Sequence, residues 1–256
     1  MGYKIDAAAG CDKGRIRQKN EDNLYFNGQI LPEEHDGLKH PVEKCFDLND
    51  RPLFAVFDGM GGEAAGETAS WTAASAADQF VKEHTAYLES PGDYLRGLCQ
   101  IANEAVCTAC DELEEERMGS TLVSLLFTPD EVYCCNLGDS RAFRYRENSF
   151  QQLSKDHVML MPPESKRKAP LSQYLGIYPE ELTLVPYIAK GDLQAGDLYL
   201  ICSDGITDML KNIEICNILR EEENVRLCVE KLIEAAKEKG GRDNITLILC
   251  RVESAG

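Results

Sequence analysis

The chain has 256 residues, 43% of them hydrophobic, which is enough for one sizeable core, and 44 acidic against 27 basic residues leave a formal net charge of −17. That balance repels polyanions and argues against nucleic acid or an anionic membrane surface as the main partner. No run of 18 apolar residues exists, and Met1-Gly2-Tyr3-Lys4-Ile5-Asp6 has neither a signal-peptide core nor Ser or Thr at position 6 for myristoylation, so the expectation is a cytoplasmic monomer forming a single domain over 1–256.

Taken in order, Tyr3 to Cys11 predicts a strand, and the polar cluster Arg15, Arg17, Lys19, Asn20, Glu21, Asp22, Asn23 runs into the apolar Leu24-Tyr25-Phe26. Residues 27–52 are rich in Gly, Pro, Asn and Asp and predict a surface loop with one short strand near Lys44 to Leu48. Leu53-Phe54-Ala55-Val56-Phe57 has the length of a buried strand and stops on Asp58, with glycines at 59, 61 and 62. The Ala-rich stretch Glu63 to Leu88 and the stretch from Pro91 to Arg117 predict a pair of long helices.

Ser120 to Phe127 and Glu131 to Leu137 predict a hairpin around Thr128-Pro129-Asp130, and a third run, Arg141 to Tyr145, follows Gly138-Asp139-Ser140. Lys155 to Gly176 carries Pro162, Pro163, Pro170 and the basic trio Lys166-Arg167-Lys168, and predicts an irregular segment. Strand character resumes over Leu182 to Ile188, and Leu198 to Cys202 is another apolar run that ends on an acid, in Ser203-Asp204-Gly205. Helices are predicted over Ile206 to Leu219, with a break near Lys211-Asn212, and over Val225 to Lys239; Gly241-Arg242-Asp243-Asn244 then opens the last strand, Ile245 to Val252.

One acid at the end of an apolar run is most simply a turn, but here the device repeats at Glu21 and Asp22, Asp58, Asp139, Asp204 and Asp243. Carboxylates brought together at strand ends repel unless cations lie between them. An oxygen-only set favours Mg²⁺ or Mn²⁺, and glycine beside Asp58 lets a backbone carbonyl approach an ion. The four histidines, at 35, 40, 84 and 157, are dispersed and make no zinc-like spacing. Eleven cysteines form an odd number, several inside apolar runs, and read as reduced core residues; Cys107-Thr108-Ala109-Cys110 is a lone CxxC with no second pair.

With these motifs the sequence resembles the metal-dependent serine/threonine protein phosphatases of type 2C, in their bacterial form. The match runs in order through Arg17-x-x-Asn20-Glu21-Asp22-Asn23, Phe57-Asp58-Gly59-Met60-Gly61-Gly62, Gly119-Ser120-Thr121, Asn136-Leu137-Gly138-Asp139-Ser140-Arg141, Ser203-Asp204-Gly205 and Gly241-Arg242-Asp243-Asn244. The resemblance implies an α+β fold, a central antiparallel β-sandwich flanked by helical pairs in α-β-β-α layers, with a binuclear Mn²⁺ or Mg²⁺ centre at one end. It implies Asp58, the Gly59 carbonyl, Asp204 and Asp243 as direct metal ligands. Glu21 and Asp22 match the acids that hold metal-bound waters, Asn244 is placed to orient Asp243, and Asp139 with Asp204 matches a weaker third-ion site. Arg17 matches the arginine that grips the substrate phosphate. The implied chemistry is hydrolysis of phosphoserine and phosphothreonine on proteins that a serine/threonine kinase has modified, by a metal-activated water and without a protein nucleophile.

Three departures from the family pattern stand out. Met60 occupies a position where some members carry a proton-donating His, Glu63 follows the double glycine where bacterial-type members often have His, and the flap-like segment at about 155–190 is short and proline-rich. The basic trio there is expected to recruit phosphoprotein to an otherwise acidic molecule. The alternative is a catalytically inactive pseudophosphatase or regulatory binding module on the same fold, which would show as ligand loss. A P-loop nucleotide hydrolase lacks its Gly-Lys-Ser/Thr here, and an aspartyl-phosphate enzyme lacks a second Asp two residues after Asp58.

Overall fold

A computed structural model describes residues 2–61, 65–84, 90–115, 117–162 and 168–254. Twelve strands and five helices follow in chain order: β1 Tyr3–Asp12, β2 Asp22–Phe26, β3 Val42–Asp47, β4 Leu53–Gly61, α1 Gly66–Glu83, α2 Pro91–Glu112, β5 Met118–Ser120, β6 Leu122–Phe127, β7 Glu131–Leu137, β8 Arg141–Arg146, β9 Ser149–Gln152, β10 Tyr187–Asp192, β11 Leu198–Cys202, α3 Asp204–Thr207, α4 Asn212–Glu221, α5 Val225–Glu238 and β12 Ile245–Ser254. All pairings are antiparallel. One sheet has the order β3-β1-β12-β11-β8-β9, the other β10-β7-β6-β4-β2 with β5 also on β4.

The two sheets pack face to face, with α1 and α2 outside one and α3, α4 and α5 outside the other, so the α-β-β-α layering expected of the sequence is present. This layering explains why the central strands β6 and β11 read as apolar runs: each buries both faces. In β4, Phe54 and Val56 point into the inter-sheet core, whereas Leu53, Ala55 and Phe57 point toward α1 and α2. Likewise Ile248, Cys250 and Val252 of β12 face the inter-sheet core, and Ile245, Leu247 and Leu249 face the helices on its other side. Aromatic rings make the inter-sheet seam, with Phe54 5.2 Å from Phe46 and Phe127 5.5 Å from Tyr199, centroid to centroid.

Three expectations change. The strand at Leu53 does not stop at Asp58 but runs to Gly61, because Gly59, Met60 and Gly61 pair with β5. The strand expected over 182–188 lies at Tyr187–Asp192, where the ladder to β7 sets it. A short edge strand, β9, was not expected at all. The helical break near Lys211-Asn212 is present between α3 and α4. No cysteine is in a disulfide, and all but Cys45 and Cys216 are buried, including both members of the CxxC on α2. Among the described residues no helix is long and apolar enough to cross a membrane.

The flap-like segment is anchored at its far end by Asn103 on α2. Its buried side chain accepts from the N–H groups of Gly176 (2.8 Å) and Ile177 (3.0 Å) and donates to the Ile177 carbonyl (2.9 Å). Asn103→Ala leaves those backbone groups without partners and should cost about 1–3 kcal/mol of stability. Hydrogen exchange at Gly176 and Ile177 should accelerate in this variant; unchanged protection there would show that the anchor lies elsewhere.

Candidate metal centre

Asp58 is fixed by its backbone. Its N–H donates to Thr121 Oγ1 (3.1 Å), and its carbonyl accepts from the Thr121 N–H (2.8 Å) and Ser120 Oγ (3.2 Å). Gly59 then donates to the Glu21 carbonyl (3.0 Å), and a Cβ on Gly59 would stand 2.0 Å from the Gly66 carbonyl oxygen, so only glycine lets the strand pass between the 13–21 loop and α1.

The loop itself is held by Asn244, whose Oδ1 accepts from the Glu21 N–H (2.8 Å) and whose Nδ2 donates to the carbonyls of Lys13 and Lys19 (both 2.9 Å). Asn244 orients Asp243 through its backbone N–H, which donates to Asp243 Oδ1 (2.9 Å). Gly205, the second residue of α3, has the same kind of constraint: a Cβ there would meet the Asn244 carbonyl at 1.9 Å. That close approach sets Asp204 beside Asp243.

Arg17, Glu21, Asp58, Gly59, Asp139, Asp204 and Asp243 line one cavity of about 400 Å³, together with Met60, Thr121 and Lys168. Asp22 lies beneath it, 2% exposed, directly opposite Asp58 in the β2–β4 ladder and accepting from Ser203 Oγ (2.8 Å). Glu63, Lys166 and Arg167 lie outside the described residues.

The acids are crowded enough to shift one another. Burial, then the charges of Asp22, Asp243 and Asp139, push the Asp58 carboxyl well above the usual carboxylate range, with Lys168 pulling the other way. Burial likewise pushes Asp22 up to about 7 against hydrogen bonds from Ser203 and Thr246. Glu21 is also raised by burial, against the pull of Arg17. Two cations of the chain answer this charge. Arg17 Nη2 reaches Asp243 Oδ2 (2.8 Å) and its Nη1 reaches Glu21 Oε2 (3.1 Å). Lys168 Nζ lies 3.0 Å from Asp139 Oδ2 and donates to Asp204 Oδ2. Burial opposes that ammonium, but Asp139 and Asp58 outweigh it and raise the Lys168 pKa.

With the acids drawn onto Arg17 and Lys168, no three Asp, Glu, His or Cys side chains among the described residues close on a single point. The donor set still fits hard divalent cations: it is all oxygen, carries several negative charges, and has the bare backbone of Gly59 beside Asp58. Sequence reasoning had singled out the Ser120-Thr121 motif without its role, which is to clamp Asp58. Lys168 was expected only as one of a basic trio recruiting phosphoprotein, and nothing in the local pattern distinguishes it from its neighbours.

Comparison with known proteins agrees with the fold. The sequence model described as Protein phosphatase 2C matches residues 43–249. The serine/threonine phosphatase stp of Listeria welshimeri is 31% identical over 256 residues, covering 93% of this chain and 92% of that protein. The serine/threonine protein phosphatase PstP of Mycobacterium tuberculosis is 30% identical over 260 residues, covering 96% of this chain but 44% of that protein. The crystal structure of the PstP catalytic domain in complex with two manganese ions superposes with a TM-score of 0.78 at 27% identity, covering 98% of this chain and 100% of that one. The chain belongs to the protein phosphatase 2C family. It is a protein phosphatase of the serine/threonine class.

The raised acids have a measurable consequence. A carboxyl whose folded-state pKa exceeds its unfolded one favours the folded state at low pH and loses that contribution as pH rises, here from about 4 through about 7. Half-buried His35 and His157, both pulled below the ordinary imidazole range by burial, act in the opposite sense. The difference in Tm between Mn²⁺-loaded and chelator-treated protein isolates the acids, and it should grow from pH 5 to pH 7.5. A difference that stays flat over that range would show that these carboxyls do not bind the cation.

Proposed function

We propose that this chain hydrolyses phosphoserine and phosphothreonine on proteins, using two Mn²⁺ or Mg²⁺ ions held by Asp58, the Gly59 carbonyl, Asp204 and Asp243. The observation that carries this reading is that Asp58, Asp204 and Asp243, distant in sequence, and a planar arginine line one cavity. Bound there, the ions supply a water acidic enough to be nucleophilic at neutral pH and charge to offset the phosphoryl oxygens, as in other two-metal sites.

The chain's own residues do the rest. Asp58, held through Ser120 and Thr121, would serve as a ligand to both cations. Asp22 and Glu21, behind it, would hold waters around them, and Ser203 fixes the orientation of Asp22. Arg17 keeps 45% of its side chain exposed at the cavity mouth. Its fork matches two phosphate oxygens as well as it matches the two carboxylates it now meets, so with Asp243 engaged as a ligand Arg17 would be free to turn toward substrate. Met60 lines the same cavity and has no proton to give, so a water held at the centre would have to protonate the leaving oxygen. Every position the family uses as a direct ligand carries the ligand residue, which disfavours an inactive module.

The natural substrates on this reading are phosphoproteins made by a serine/threonine kinase, in the cytoplasm, with the protein acting as a single-domain monomer. Phosphopeptide turnover should require Mn²⁺ or Mg²⁺ and stop with chelator, and Asp58→Asn or Asp204→Asn should lower kcat at least about 100-fold, as expected when a ligand of a paired centre is lost. Near-normal turnover in either variant would overturn the ligand assignment. Arg17→Ala should raise KM for phosphopeptide while Mn²⁺ affinity holds, and Arg17→Lys should restore little, because a point charge cannot replace the fork. Loss of Mn²⁺ with unchanged KM would make Arg17 a partner of the acids alone.

A further inference from the structure

Lysines on flexible segments ordinarily carry their charge out to water. Lys168 does the reverse. More than half of its side chain remains exposed (53%), yet its ammonium turns inward and bridges Asp139 and Asp204.

The backbone delivers it there. The two limbs of the flap-like segment are joined at their base: Val158 and Leu171 form a bridge, the Met159 N–H donates to the Pro170 carbonyl (2.8 Å), and the Ser172 N–H donates to the His157 carbonyl (2.9 Å). His157 in turn donates its N–H to the Gly138 carbonyl (2.9 Å), beside Asp139. Arg141, two residues beyond Asp139, closes the other side with a two-pronged ion pair to Asp156 (3.0 and 2.7 Å to Oδ2). Lys168 lies two residues before the Pro170 carbonyl in this clasp, and the residue it meets, Asp139, belongs to the same clasp.

We infer that Lys168 is a tethered cation occupying the Asp139–Asp204 pair, so that this centre takes two exchangeable divalent ions and carries its third positive charge on the chain. The inference rests on the metal-dependent reading above. An ammonium bound to Oδ2 of both carboxylates stands where an ion shared by them would stand and repels it, while the contact to Asp204 involves Oδ2 and leaves Oδ1 to serve an ion of the pair. A phosphoryl group entering the cavity then meets a third cation that no metal concentration has to supply.

The test is a count of bound Mn²⁺ by equilibrium dialysis, with free Mn²⁺ read by electron paramagnetic resonance. Wild-type protein should saturate at two ions. Lys168→Met, similar in length but uncharged, should gain a third and weaker one, and Asp139→Asn in that background should remove it. Lys168→Arg, which keeps the charge, should bind two and guards against a folding defect in the Met variant. A third ion in the wild type, or a count of two in Lys168→Met with its fold intact, overturns the inference while leaving the metal-dependent reading in place. A count of zero in the wild type overturns both.

Discussion

Everything at the catalytic end of this molecule follows from placing Asp22 opposite Asp58 in a buried ladder. Like charges facing each other across a strand pair destabilise the pair, and burial removes the water that would screen them. The fold meets that cost with three devices: protonation, which burial favours at both residues; hydrogen bonds, of which Ser203 to Asp22 is the clearest; and cations brought to the acids' edge by Arg17 and Lys168. Divalent ions are the fourth device and the one the function requires.

The geometry that keeps the acids together is mostly backbone. β4 supplies Asp58, the first residue of α3, just after β11, supplies Asp204, and the residues just before β12 supply Asp243, so the site draws on both sheets. Asn244 is the stitch between them, since its amide binds the 13–21 loop at three points while its own N–H holds Asp243. A side chain that touches no substrate on this reading thus sets the positions of Arg17, Glu21 and Asp243 at once.

The central strands and the acids at their ends were legible in the sequence because both leave strong local marks, while their assembly into a sandwich came from the family resemblance. An apolar run buried on both faces, ended by Asp-Gly, is visible without knowledge of its partners, and so is the helical break at Lys211-Asn212. What escaped was set by partners far along the chain. β4 continues past Asp58 only because β5 is there to pair with Gly59–Gly61. β9, an edge strand of mostly exposed polar residues, has no apolar signature, and its tight turn is formed by Glu147 and Asn148 at φ of 49° and 65° rather than by glycine. β10 is offset from the apolar stretch that suggested it because β7 fixes the register from Tyr187 to Asp192. Lys168 is the sharpest case: sequence gives a basic run in a proline-rich segment, and only the clasp between 157–159 and 170–172 turns one of its members inward.

The pairing of β1 with β12 over ten residues, Tyr3 opposite Ser254 through Asp12 opposite Ile245, also bears on how the protein is made. β1 lies between β3 and β12, so on the ribosome it can find β3 early, but its other edge stays uncovered until residues 245–254 are made. Contacts so far apart in sequence are slow to form, and an open edge is a template for pairing with a second chain. Until then the nascent chain carries a half-built sheet, and the arrival of residues 245–254 seals that edge at the moment it brings Asp243 and Asn244 into the site.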